Sequence, residues 1–237
     1  MARILVTRPE PGASETAARL EALGHQPLVL PLTEIRTLPV EAPDLPGFDA
    51  VAITSANAVR HAPADLLARL DGLPAFAVGR RTAQQAREAG LHVMPGQPGD
   101  AAGLARLLAE KAPRGGSVLV LSGRVRRDAL EAGLSAAGLR SLVVETYDTL
   151  VKPLSEADVE RLLDEGPPDF VLVHSRFAAS LLAQNGPIGR RTASTRFICI
   201  AQRVADALGA VPREACLVAP QPNEDAMLSL LGSHVSR

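Results

Sequence analysis

Short apolar runs and alanine- and leucine-rich helical patterns alternate along the chain. Residues 4–6 (ILV) precede a helical pattern over 14–24, and the run at 28–30 stops at Pro31. The runs at 51–54, 76–79, 118–121, 170–173, 197–201 and 217–220 are each followed by a helical stretch. A further run, LVVET, occupies 142–146. Continuous apolar runs, without polar alternation, are what strands covered on both faces show. Helices between them predict an α/β fold with parallel sheets flanked by helices. Gly24, Gly90 and Gly138 follow helical stretches, at the place of a left-handed cap.

The pattern also repeats. ILVTRPEPGASETAARLEALG, from Ile4, resembles VLVLSGRVRRDALEAGLSAAG, from Val118. DAVAITSANAV, from Asp49, resembles DFVLVHSRFAAS, from Asp169, and AFAVGRRTAQQA resembles RFICIAQRVADA. The spacing is far longer than a solenoid period, so it predicts duplication of a small α/β domain. Two similar domains with a cleft between them follow. Linkers that are turn-rich or extended beside proline are expected at 36–47 and 147–155, equivalent places in the two repeats. Such a pair suggests that the chain crosses between domains twice.

In open parallel sheets, ligands bind beyond the carboxyl ends of the strands. Those ends here carry Thr7 and Arg8, Thr54 and Ser55, Gly79 to Thr82, Ser122 to Arg124, His174 to Arg176, and Ala201 to Arg203. Each opens a helix, where unpaired amides favour anions. Hydroxyls there either cap the helix or meet a ligand. Gly79 serves a tight turn or lets a ligand approach. Arg124, Arg126 and Arg127 form a solvated helix face or present a carboxylate fork. Tyr147, the only tyrosine, is either a hinge residue or a proton donor, because a phenol is protonated at neutral pH.

Composition removes several classes. A net charge of −1 over 237 residues supplies no field for nucleic acid or anionic membrane. Aromatics make up 3%, with no tryptophan, so base-stacking platforms are absent. Cys199 and Cys216 lie in apolar runs without metal-ligand spacing, and the five histidines are scattered. Two reduced, buried thiols in a cytoplasmic protein are expected. No signal peptide or membrane span is read in the sequence. Only Lys111 and Lys152 are lysines; arginine dominance fits a GC-rich genome as well as bidentate anion recognition. A non-enzymatic sensor for a polyanion or sugar phosphate fits the same fold. A phosphosugar isomerase needs a positioned base, and none is evident.

VTRP at 6–9, ITSANAV at 53–59, AVGRRTA at 77–83, SGRVRRDALEAGLSAAG at 122–138, VVETYDT at 143–149 and HSRFAASLL at 174–182 together resemble uroporphyrinogen-III synthases. The resemblance spans essentially the whole chain. It implies two α/β domains, 1–36 plus 153–237 and 41–147, joined by a two-stranded connector at 37–40 and 148–152. It implies a cyclising lyase of haem biosynthesis that converts hydroxymethylbilane to uroporphyrinogen III. Loss of the hydroxyl gives an azafulvene cation. Attack at the substituted carbon of ring D gives a spiro intermediate, and fragmentation with reclosure inverts that ring. No metal or cofactor is implied, and the expected form is a cytoplasmic monomer without nucleic-acid or membrane partners. Tyr147 matches the family tyrosine that assists departure of the hydroxyl. Thr54, Ser55, Asn57, Gly79, Thr82 and Ser175 match substrate-binding corners, and Arg8 and Arg124 are carboxylate candidates. Where many members read Ile-Gly-x-x-Thr-Ala, this chain has Ile200-Ala201-Gln202-Arg203-Val204-Ala205, leaving Gln202 or Arg203 as substitutes.

Overall fold

The computed structural model describes residues 1–40, 47–184, 192, 195–209 and 211–234. Much of the first expected linker, 41–46, lies outside the described residues. In chain order the elements begin with β1 (Arg3–Val6), α1 (Gly12–Ala22), β2 (Gln26–Val29), β3 (Thr33–Thr37), β4 (Ala50–Ile53) and α2 (Ala56–Arg60). There follow α3 (Ala64–Arg69), β5 (Ala75–Ala77), α4 (Arg80–Glu88), α5 (Ala101–Lys111), β6 (Ser117–Gly123), α6 (Ala129–Ala136) and β7 (Arg140–Val151). The chain continues with α7 (Glu156–Leu162), β8 (Phe170–Val173), α8 (Arg176–Ala183), β9 (Arg196–Cys199), α9 (Gln202–Ala205), β10 (Cys216–Val218) and α10 (Glu224–His234).

Two compact units result: Met1–Glu34 with Leu150–Arg237, and Ile35–Thr149. The first holds the sheet β10-β9-β8-β1-β2. Renumbered along its own chain, that order is 2-1-3-4-5, a doubly wound arrangement. The second sheet runs β3-β7-β6-β4-β5. Pairing the repeats, β6 stands for β1, β7 for β2, β4 for β8 and β5 for β9. A parallel bridge between Ala75 and Val93 stands where β10 lies beside β9. The two units therefore share one strand plan, and the second enters it at a different strand.

The central strands are buried on both faces, which explains their unbroken apolar runs. In β1, Leu5 packs into one core, and Ile4 and Val6 into the other. In β6, Leu119 and Leu121 face one core, and Val118 and Val120 the opposite one. Gly24 and Gly138 take φ of 79° and 73° beyond α1 and α6, the left-handed cap that a side chain would strain.

One expectation needs correction, the burial of both thiols, and one alternative is decided. The stretch after residue 146 is extended rather than turn-rich: β7 is one strand to Val151, and Tyr147 lies inside it. Pairing on its edges explains the length. Leu38 N–H donates to the Thr146 carbonyl and Lys152 N–H to the Leu32 carbonyl, both at 2.9 Å, so β3 runs antiparallel beside β7. Cys216 is only half-buried, because β10 is an edge strand, whereas Cys199 is buried. Burial pushes the Cys199 thiol up to about 12, so it stays protonated at neutral pH.

Candidate functional site

The topological switch point of the first sheet lies between β1 and β8, and that of the second between β6 and β4. A hydroxyl bridges the strands at each. Buried Thr7 donates to the Leu172 carbonyl at 2.9 Å. Thr54 Oγ1 lies 2.9 Å from Ser122 Oγ and 3.2 Å from the Leu121 carbonyl oxygen. Both following serines are helix caps. Ser55 Oγ accepts the Asn57 N–H, and Ser175 Oγ the Ala178 N–H, each at 3.1 Å. The Asn57 side chain accepts from Arg60 at 3.3 Å.

Tyr147 completes the corner in the second unit. Burial raises the pKa of its half-buried phenol above the ordinary value of 10, an effect the Ser55 hydroxyl only partly offsets. The group is thus held protonated. The His61 ring lies 6.0 Å from the tyrosine ring, and its Nδ1 is 2.7 Å from Thr37 Oγ1. Burial, and then the charge of Arg60, lower the His61 pKa. Beside it, the chain leaving β5 reaches Gly79, the N-cap of α4, where no side chain caps the helix. The backbone of Gly79 is extended, with φ −154°, and open space lies where a Cβ would sit. Nothing in the backbone there requires glycine. Thr82 is buried in the first turn of α4, and α4 packs on α2.

The arginines are already engaged. Arg124 Nε donates to Glu145 at 3.0 Å, and its other end lies 3.5 Å from Asp148. Arg126 bridges Glu131 and Glu145 at 2.8 and 2.6 Å. Hydrogen bonds from Arg126 and Arg124 lower the Glu145 pKa. In the first unit, Arg8 reaches Glu224 at 3.2 Å and Thr16 at 3.3 Å. Thr16 also donates to Glu224, Arg19 pairs with it at 3.0 Å, and His174 Nε2 stands 3.7 Å away. Burial alone would raise the Glu224 pKa. The nearby His174 imidazole and the Thr16 hydroxyl, with the charge of Arg8, hold it at about 2 instead.

At the end of β9 the corner differs from that of β5. Val204, buried, occupies the place of Thr82, and exposed Gln202 donates to Asp206, just past the end of α9, at 2.9 Å. Gln202 and Asp206 line a shallow cavity of about 420 Å³ with Arg213 and Cys216. The sequence alone placed Gly123 at a strand end without a role of its own, and it did not single out Glu224, Thr16, His61 or Thr37. The available signals were an acidic helix start at Asn223-Glu224-Asp225 and a glycine one residue before Arg124.

The plan is that of a duplicated doubly wound α/β protein, with hydroxyls and helix-start amides at both switch points. The chain belongs to the uroporphyrinogen-III synthase HemD family, whose sequence model matches residues 14–229. That family is one of lyases, and the substrate of a uroporphyrinogen-III synthase is hydroxymethylbilane. Uroporphyrinogen-III synthetase from Helicobacter pylori is similar in fold, with a TM-score of 0.64 at 22% identity, covering 98% of this chain and 99% of that one. A mutant uroporphyrinogen III synthase from the extremely thermophilic bacterium Thermus thermophilus gives 0.57 at 20% identity, over 98% and 97% of the two chains. No curated protein sequence matches the chain.

Proposed function

We propose that this chain closes hydroxymethylbilane with inversion of ring D, and that Tyr147 gives its proton to the departing hydroxyl. The observation that carries this is the phenol itself: half-buried, held protonated, and within the influence of the Ser55 hydroxyl at the switch point between β4 and β6. The hydroxyl leaves as water as the pyrrole nitrogen pushes electrons into the breaking bond. The azafulvene cation then accepts the substituted carbon of ring D. After fragmentation and reclosure, ring D gives up a proton, which restores the phenol. Metal and cofactor have no step to perform, so dialysis against a chelator should leave the rate unchanged. The work left to the protein is geometric, because unassisted closure proceeds without inversion.

Acetate and propionate groups fall to Thr54, Ser55, Asn57, Thr82 and Ser175, and to the strand ends at Gly79 and Gln202. Helix-start amides and hydroxyls are suited to carboxylates. Arg8 and Arg124 already hold Glu224, and Glu145 with Asp148. They take part only by exchanging one carboxylate for another. We read residues 1–36 with 153–237, and 41–147, as the two domains of a cytoplasmic monomer that engages neither membrane nor nucleic acid. Its elution volume on size exclusion tests the oligomeric state.

The test of the reaction is direct. Freshly made hydroxymethylbilane is incubated with the protein, the products are oxidised, and type I and type III porphyrins are separated by chromatography. Predominantly type III product is expected. Type I alone, at the spontaneous rate and from folded protein, would sink the proposal.

A further inference from the structure

Gly123 and Tyr147 are partners across β6 and β7. The register slips just before them: Ser122 pairs with Glu145, and Gly123 with Tyr147, so Thr146 is an extra residue. A bulge of this kind re-aims the side chains around it. Thr146 is fully buried, and its hydroxyl donates to the Ala58 carbonyl at 2.8 Å, which pins the bulge to α2. A Cβ placed on Gly123 would lie 2.5 Å from Tyr147 Cζ and 2.8 and 2.9 Å from its two Cε atoms. Carbon atoms pack no closer than about 3.5 Å without repulsion. The hydroxyl end of the ring therefore rests on bare backbone. Glycine is required here for room, since its φ lies outside the left-handed region.

On another side stands His61, with ring centroids 6.0 Å apart and planes tilted by 40°. That separation is in the range of aromatic pairs. The Thr37 hydroxyl, 2.7 Å from His61 Nδ1, holds the imidazole in turn. We propose that Gly123 and His61 are positioning residues for Tyr147: the glycine admits the ring, the imidazole keeps it there, and together they fix the one orientation in which its hydroxyl meets Ser55. The inference rests on the proton-donor role given to Tyr147 above.

The chain has one tyrosine and no tryptophan. The near-ultraviolet absorbance of phenolate therefore reports this one ring, independently of turnover. Gly123→Ala is expected to lower kcat for type III product by about 10²-fold with KM nearly unchanged, the scale of a misplacement near 1 Å. Its phenol should titrate lower, nearer to free tyrosine, because the displaced ring loses its cover. His61→Ala, at a half-buried site that tolerates truncation, is expected to shift the titration the same way and to lower kcat about tenfold.

In a Tyr147→Ala background, Gly123→Ala should leave the melting temperature unchanged while lowering it in the wild type. That non-additivity marks contact between the two. Folded Gly123→Ala and His61→Ala proteins with wild-type phenol titration and wild-type kcat would overturn the proposal. If Gly123→Ala fails to fold in both backgrounds, its requirement is not the tyrosine, and the glycine half of the proposal falls. If Tyr147→Phe retains full turnover, the proton-donor reading fails, and the titration shifts alone then decide whether these residues orient the ring.

Discussion

At the end of β4 the polar groups are two hydroxyls and a phenol, whereas at the end of β8 they are an arginine, a histidine and a carboxylate supplied by the same chain. Both corners descend from one strand plan. Asp49 and Asp169 begin the equivalent strands, and Thr54 and His174 end them. The difference lies in what fills the space beyond. In the first unit, Glu224 at the start of α10 draws Arg8, Thr16, Arg19 and His174 onto itself. In the second, the Thr54 and Ser55 hydroxyls leave a neutral donor, Tyr147, unpaired with any charge. The same strand plan thus carries one corner where a helix-borne carboxylate gathers the charges and one where hydroxyls and a phenol meet.

The largest effect should come from Tyr147→Phe, which removes one oxygen from the second corner. Type III formation is expected to fall by at least about 10²-fold, the range of general acid catalysis, with the melting temperature nearly unchanged. The same assay on His174→Gln should show a much smaller loss. Equal losses would erase the distinction between the corners.

Next is Glu224→Ala, expected to destabilise the protein by about 2 kcal/mol in urea unfolding, because it removes the half-buried carboxylate that Arg8, Thr16 and Arg19 share. Turnover by the fraction that stays folded should change little. The same carboxylate gives a pH signature. Its pKa is about 2 in the folded protein, below the ordinary 4.5. Its contribution is therefore complete above pH 4.5 and is lost as pH falls from there toward 2. On the order of 2 kcal/mol is involved, after allowing for solvent screening. In Glu224→Gln, the part of the acid-induced stability loss due to this group should be gone.

Smaller still are the caps. Ser55→Ala and Ser175→Ala should each cost about 1 kcal/mol, but Ser55→Ala alone should also shift the absorbance titration of Tyr147. Smallest is Arg124→Gln. Its exposed ion pairs are worth about 0–1 kcal/mol, and raising the salt concentration should remove that difference.

The strands, the duplication and the corner residues were legible because each is written locally. Apolar runs mark doubly covered strands, and Thr54-Ser55 and Ser175 stand where helices open. The Glu224 cluster was not legible, since its partners come from α1, β1's exit and β8's exit, far apart in sequence. The reach of β7 was hidden as well. Its apolar run ends near Val144, and hydrogen bonds to β3 carry the strand on through polar Glu145, Thr146 and Asp148. The reordered entry into the second sheet could not be read either, because repeats align along the chain whichever strand comes first. Gly123 shows the same limit in a single residue: its need for space exists only because a bulge brings Tyr147 over it.

The two aspartates at the opposite ends of these strands add one more consequence. Asp169 accepts from the Arg3 amide and Asp49 from the Ser117 amide, each at 2.8 Å. Thr7 and Thr54 tie the same strand pairs at their far ends. Each central pair is thus buttoned top and bottom, and a slide of one strand along its neighbour would tear both fastenings at once and turn every side chain to the wrong face. The sheets are therefore stiff against shear. Within each unit, then, the helix-opening side chains stand on a floor that does not slide.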